Sequence, residues 1–374
     1  MKEQQLWRAC VDGKVEEVIN LLQDEQNNIN WRNENNSGKT PFYVACERGH
    51  IEIVKLLLND ERVDSNQEDK HGQTPFSIAC ERGHLKIVKQ LLNDERTDIY
   101  KAESFDQTPF YVACFYGHIE IVKLLLSDKR IADINKKDNY GQTPLYIACC
   151  NKRTEIVKIL LNDERTDINK ESFGQTSFYV ACCNKHIEVV KLLLSDKRIA
   201  DINKKDNYGQ TPFWIACEKG HIEIVKLLLD DKRVDVTKTN KNKATPFYIA
   251  CQKGHLEVVK ILLNDGRVDI NKTNRFGKTP FYIACFWNRI EIVKYLLASR
   301  REIDINKKDN DGKSVIDIAS EIGKKIIELI KSFERNQNET RTKLRIELGL
   351  AGKFILFFLV FENILNKFIF ISRH

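Results

Sequence analysis

A Thr-Pro dipeptide or a close variant returns at Thr40, Thr74, Thr108, Thr143, Thr176, Thr211, Thr245, Thr279 and, in degenerate form, Ser314, at intervals of 33 to 35 residues. Around each anchor one phrase recurs: Gly-Gln-Thr-Pro-Phe-Tyr-Ile-Ala-Cys, four residues often ending in Gly-His, then Ile-Glu-Ile-Val-Lys-Leu-Leu-Leu. A fixed period of this length marks a solenoid whose units contact only their neighbours. The 374 residues therefore need not be divided into several globular domains. A unit of about 34 residues is too small to bury a stable core alone, so stacking makes it fold, and about three copies are the minimum.

The phrase encodes two short helices. Thr40 caps the first by accepting a backbone N–H, and Pro41 pre-sets φ where its missing N–H costs nothing. Gly49 suits the stop about two turns later. In the second helix Ile51, Val54, Leu57 and Leu58 form one apolar stripe, and the polar stretch from Asn59 to Gln73 is a turn-rich connection. Leu6 to Leu22 matches half of the pattern, with Ala9-Cys10 in the place of Ala45-Cys46, and Ser314 to Phe333 has lost the Pro. Both read as capping repeats, whose outer faces must be polar.

The phrase resembles the ankyrin repeat, over residues 1 to about 335. The resemblance implies an all-α ankyrin-repeat solenoid of paired short antiparallel helices with hairpin-like loops, followed by a hydrophobic helical tail. The expected divisions are a capping repeat over 1–35, eight repeats over 36–308, a second cap over 309–335, and a linker with the hydrophobic tail over 336–374. The chain departs from the family pattern in two ways. The His that ties neighbouring repeats in the family is replaced by Tyr43, Tyr111, Tyr146, Tyr179, Trp214, Tyr248 and Tyr282, so the bonding there must differ. The Gly-Ala after the second helix gives way to longer strings such as Glu61-Arg62-Val63, which are expected to displace the helix ends.

Nothing in the sequence points to catalysis. Nine of the eleven cysteines, from Cys10 to Cys285, recur once per repeat at a packing position on the first helix, while Cys150 and Cys183 are extra. Neighbouring helices lie about 8 to 10 Å apart, beyond the roughly 7 Å Cα separation a disulfide spans. A one-per-repeat ladder does not converge on a metal either. His50, His84, His118, His186, His221 and His255 recur just before the second helix, and their repetition argues for a structural role. His-Ile-Glu-Ile-Val lacks the second His of a zinc-protease motif, and no phosphate-cradling or dinucleotide fingerprint is found. No cofactor and no metal is expected. The strings His118 to Pro144 and His186 to Pro212 differ only at Ile121 and Val189, so a block of 68 residues has been copied in register. A unique active site does not survive such copying, whereas a binding surface grows longer.

The net charge of +7 falls mostly in the tail, and mixed charges line the repeats, so a nucleic-acid partner is not expected. The N-terminus has no apolar run resembling a secretory signal, which points to the cytoplasm, with the nucleus as an alternative, and gives the Asn-x-Ser/Thr matches at Asn35, Asn271 and Asn338 little weight. The expected partner is another protein, held by a non-enzymatic scaffold on the concave face, where the family places loop tips and first helices. Exposed aromatics dominate binding hot spots. At those positions the candidates are Phe105, Phe115, Tyr116, Tyr140, Phe173 and Tyr208, with rings that merely stiffen the array as the alternative.

After Asn336 the composition changes to a polar stretch and then Phe354 to Phe361 and Ile364 to Ile371, interrupted by Glu362, Asn363, Asn366 and Lys367. The uncharged run is short of the roughly 20 residues of a membrane span. A membrane surface met by residues 344–374, flanked by Arg341, Lys343, Arg345 and Lys353, makes a membrane-associated protein the second reading.

Overall fold

The computed structural model describes residues 2–103, 105–318, 321 and 323–350. The chain divides into two compact units, Met1–Asp201 and Ile202–His374, each a stack of helix pairs. The first unit pairs Lys2–Asp12 with Val15–Leu22, Pro41–Arg48 with Ile51–Leu58, Pro75–Arg82 with Leu85–Leu92, Pro109–Tyr116 with Ile119–Ser127, Pro144–Cys150 with Thr154–Leu161, and Ser177–Cys183 with Ile187–Ser195. The second pairs Pro212–Lys219 with Ile222–Asp230, Pro246–Lys253 with Leu256–Leu263, and Pro280–Phe286 with Ile290–Ala298. Within each unit first helices lie beside first helices and second beside second.

Local chemistry sets the boundaries. In each repeat from Thr40 to Thr279 the Thr Oγ1 accepts the backbone N–H three residues on, at 3.0 or 3.1 Å. Gly49 closes the helix Pro41–Arg48 at φ 83°, and a Cβ there would lie 2.8 Å from the His84 ring of the following repeat, so glycine answers both backbone and packing. The buried face of the second helix is broader than one stripe. Ile53, Val54, Leu57 and Leu58 are buried, while Ile51 in the first turn is only half so, because this helix is flanked by its own first helix and by second helices on both sides. All eleven cysteines are free thiols, nine of them buried.

Four kinds of tie join repeats within the units. First, His50, His84, His118, His186 and His255 place Nε2 within 2.6 to 3.1 Å of a carbonyl at the end of the preceding first helix. Where Arg153 and Arg289 stand instead of His, the guanidinium Nε donates to Phe115 and Gln252. Second, the residues in the place of the family's usual His reach forward. Tyr43, Tyr111 and Tyr146 donate to Gln73, Gln142 and Gln175, Tyr282 donates to Asp309, and Trp214 donates to the Ala244 carbonyl. Ser77 is too short to do this, and the longer Glu103 reaches back to accept its hydroxyl.

Third, the strings that follow each second helix form an Asp-x-Arg clip. Asp60 accepts the backbone N–H and guanidinium of Arg62, and Arg62 Nη2 donates to the Leu22 carbonyl at 3.0 Å, at the end of the preceding second helix. Arg96, Arg130, Arg165 and Arg198 do the same for Leu58, Leu92, Leu126 and Leu161, as does Arg267 for Leu229. The extra residues expected to displace these helix ends thus cap them, with a cation where the helix dipole is negative. Fourth, Asn135 Nδ2 donates to the Arg165 carbonyl at 2.7 Å while its Oδ1 accepts the Asp167 N–H at 2.8 Å. Asn30, Asn66, Asn169, Asn203 and Asn271 repeat this clamp on the next loop.

The C-terminal cap is irregular. Among the described residues a 3-10 turn, Ile316–Ile318, stands at the place of the first helix, in keeping with the lost Pro, and Lys324–Arg335 serves as the second helix. Residues 337–347, read from the sequence as the start of a linker, form the helix Gln337–Glu347. Asn336 caps it by accepting the Glu339 N–H on its side-chain oxygen, while its side-chain amide donates to the Glu339 carboxylate. This helix packs on Ile290–Ala298 and Lys324–Arg335. Arg341 and Arg345 donate to the Leu297 and Ala298 carbonyls, where a clip from a further repeat would otherwise sit. The apolar run from Phe354 lies outside the described residues.

The clamp predicts that Asn135→Ala lowers stability by about 1 to 2 kcal/mol through its two lost hydrogen bonds and speeds hydrogen exchange of the Asp167 amide. Urea unfolding and amide exchange measure both, and unchanged exchange at Asp167 would refute the clamp. Burial predicts that Ellman's reagent modifies Cys150 and Cys183 first, with the other nine thiols following only on unfolding.

Candidate interaction surface

The polar connection of each repeat folds into a finger whose tip precedes the next first helix. Asp138 Oδ1 accepts the N–H groups of Tyr140 and Gln142, which makes the tight turn that lifts the Tyr140 ring outward. Asp69, Asp206, Asn274 and Asp309 repeat this turn. Neighbouring tips are stitched through main-chain carbonyls, with Asn139 N–H donating to the Phe105 carbonyl at 2.8 Å and the Ser172 hydroxyl to the Tyr140 carbonyl at 2.8 Å. The finger that bears Phe173 is built differently. With Glu171 in place of Asp, Glu171–Ser172 pairs antiparallel with Gln175–Thr176, and Phe173 takes a left-handed φ of 51° ahead of Gly174. That conformation costs a phenylalanine of order 1 kcal/mol, and it leaves the ring 65% exposed.

The fingers stand beside the ends of the first helices, since Lys39 pairs with Glu47 at 2.9 Å and Gln73 bonds Glu81 at 2.7 Å. Tips and helix ends therefore share one surface. In the first unit that surface carries Phe105 and Tyr140, whose rings stack with centroids 6.0 Å apart. Phe115, half-buried, meets exposed Tyr116 at 4.9 Å, and Tyr116 stacks on His118 at 6.3 Å. Phe173 occupies the tip next to Tyr140. Tyr208, 69% exposed, is a tip of the second unit. The expected set thus resolves into a stacked tip pair, a helix-end pair, and two exposed tips.

Beside the helix-end pair the surface is acidic. Burial pushes the Glu103 carboxyl above its ordinary value; bonds from Ser77 and Gln73 oppose the shift, and Glu81 and Asp69 reinforce it. Burial, Glu81 and Glu103 likewise push the Tyr116 phenol up, against the opposing Arg82. A further group at the same sequence positions, outside the favoured set, stands in the second unit: exposed Phe276 and Trp287, with Phe286 between Lys278 and Trp287. The signal was present, because Phe276 sits at the tip position and Phe286-Trp287 at the helix-end position that define the first set. Among the described residues no group of His, Cys, Asp or Glu is placed to hold a metal ion.

Stacked helix pairs, Thr-capped first helices and projecting fingers define a repeat scaffold whose units each present side chains on a finger and helix-end surface. A family model described as ankyrin repeats in three copies matches residues 6–102, 93–172, 162–240 and 232–309. The chain belongs to the ankyrin-repeat family, whose repeats are generally protein–protein interaction modules. No curated protein matches the chain.

Because the folded Glu103 carboxyl binds its proton more tightly than the unfolded one, stability rises as pH falls from the raised folded value toward the ordinary carboxyl value. At neutral pH the buried charge is a cost. Glu103→Gln, which keeps an acceptor for Ser77, is expected to raise the neutral-pH urea midpoint and flatten its pH dependence between pH about 4 and 7. A lowered midpoint at neutral pH would contradict this.

Proposed function

We propose that the chain is a non-enzymatic scaffold that binds another protein through the fingers and first-helix ends, with Phe105, Phe115, Tyr116, Tyr140, Phe173 and Tyr208 as the contact residues. The observation that carries this reading is the stacked pair Phe105 and Tyr140, left 53% and 49% exposed. Aromatic rings fixed by neighbours bury large area on binding with little loss of side-chain entropy. Phe173, held outward against its backbone preference, supports the same reading. Eleven free thiols fit a reducing compartment such as the cytoplasm.

The membrane-associated alternative draws less support from the described residues. Arg341 and Arg345 are occupied on helix-end carbonyls, Lys343 pairs with Glu339, and Leu344 is buried. None of the described helices is long and apolar enough to cross a membrane. Residues 351–374, which carry most of that reading, lie outside the described residues.

Affinity capture with the full chain tests the scaffold. Phe105→Ala with Tyr140→Ala is expected to weaken a captured protein partner by about tenfold or more while the thermal transition stays in place, because both rings are largely exposed. A partner retained equally by the double variant would reject these tips as the contact.

A further inference from the structure

The second unit carries its own cluster on the finger and helix-end surface. Arg275 Cζ lies 4.6 Å from the centroid of the Phe276 ring. Lys278 Nζ sits 5.3 Å from Phe286 and 5.1 Å from Tyr282, and Phe286 meets Trp287 edge-on at 5.8 Å. On the same fingers and helix ends stand the exposed Lys219, Lys241, Lys243, Lys253 and Lys313. Lys253 lies 3.5 Å from Glu218, but Lys219, Lys241, Lys243, Arg275 and Lys313 form no ion pair among the described residues. Asp309, near Lys278, is already committed to Tyr282 and to the N–H groups of Asp311 and Lys313.

The charge of this unit's repeats follows the cluster. Residues 202–334 carry 25 Lys and Arg against 18 Asp and Glu, whereas residues 1–201 carry 28 against 32. The first unit accordingly places Glu47, Glu81, Glu103 and Asp106 on its fingers and helix ends. The total over the repeats hides two stretches of opposite net charge.

We infer that the finger surface of the second unit docks an acidic peptide segment that also presents aromatic side chains. A cation over a ring is oriented by it and keeps its charge. Arg275 rests one face on Phe276 and leaves the edges of its guanidinium for a carboxylate, the geometry in which Arg is strongest. The lysines of the successive fingers supply further positive points along an extended chain, and Phe286 with Trp287 offers a ring edge and an exposed indole for an aromatic side chain. A single-stranded nucleic acid fits this surface less well. Its bases need open ring faces to stack on in succession, and one face each of Phe276 and Phe286 is taken by Arg275 and Lys278, which leaves the exposed Trp287 indole as this cluster's stacking platform.

Fluorescence anisotropy with the full chain tests the inference, using labelled probes of a random glutamate–tyrosine copolymer, polyglutamate and polyuridylate. The copolymer is expected to bind tightest and to weaken as salt rises. Arg275→Glu with Lys278→Glu should weaken it by about tenfold or more, and Trp287→Ala should narrow the gap between copolymer and polyglutamate. Phe105→Ala with Tyr140→Ala should leave it unchanged, which separates this surface from the one proposed for the first unit. Polyuridylate binding as tightly as the copolymer, or copolymer affinity unmoved by the charge reversal, would overturn the inference. Should the charge-reversed chain lose its thermal transition, unchanged copolymer affinity in Trp287→Ala would overturn it instead.

Discussion

From Val15–Leu22 to Ile290–Ala298 each second helix is only eight or nine residues long, as in Ile51–Leu58 and Ile119–Ser127, so about half of its carbonyls have no partner inside the helix. The rest of the architecture depends on satisfying them from the neighbouring repeat. Arg62, Arg96, Arg130, Arg165 and Arg198 each bring a guanidinium to the end of the preceding second helix, held in aim by the Asp two residues earlier. The pairing holds the carboxyls of Asp60, Asp94, Asp128, Asp163 and Asp196 below their ordinary value. Buried apolar side chains supply the driving force, but they are nearly the same in every repeat and do not by themselves specify register. Hydrogen bonds with fixed partners about one repeat away do.

Those ties also decide which side chains remain available to a partner. His, Tyr, Arg and Asn at the tie positions are turned toward neighbours, and the first helix is buried from Pro41 to Cys46. What stays outside is the finger tip and the last residues of the first helix, where sequence is least constrained by stacking. Phe105, Tyr140 and Phe173 occupy three successive tips of the first unit, while the second unit has Tyr208, Asn242, Phe276 and Asp311 at that position. Variation concentrated at positions without a stacking duty is what an interaction surface on a rigid scaffold requires.

The period, the Thr caps, the buried cysteine ladder and the candidate tips were legible in the sequence because each follows from a local rule. Thr40 needs only its own helix, and Cys46 only its place in the phrase. The Asp-x-Arg clip and the Asn clamp were visible as recurring strings, but their partners lie about 30 to 40 residues away and no local rule names them. Asn271 shows the difficulty: read alone it is a weak glycosylation match, whereas in the structure its side chain is spent on the Glu302 carbonyl and the Asp304 N–H. The opposite charge of the two units was hidden for a similar reason, since it emerges only when residues are grouped by the fold.

The same ties explain how a 68-residue block was copied without disturbing the stack. Each repeat offers its follower the carbonyls that end its two helices and a ladder Asn, and accepts the same set from the repeat before it. A block copied in register therefore brings matching donors and acceptors to both of its seams. His118 and His186, and Arg130 and Arg198, sit at corresponding positions of the two copies and bind the corresponding carbonyls of Glu81, Cys150, Leu92 and Leu161. Redundancy adds tolerance. Tyr100 and Thr237 stand where the ladder would have Asn, yet Arg130 and Arg267 still reach Leu92 and Leu229 across those junctions. A scaffold tied in this way lengthens by whole repeats while its tips diverge, so new binding chemistry arises at the tips without renegotiating the fold.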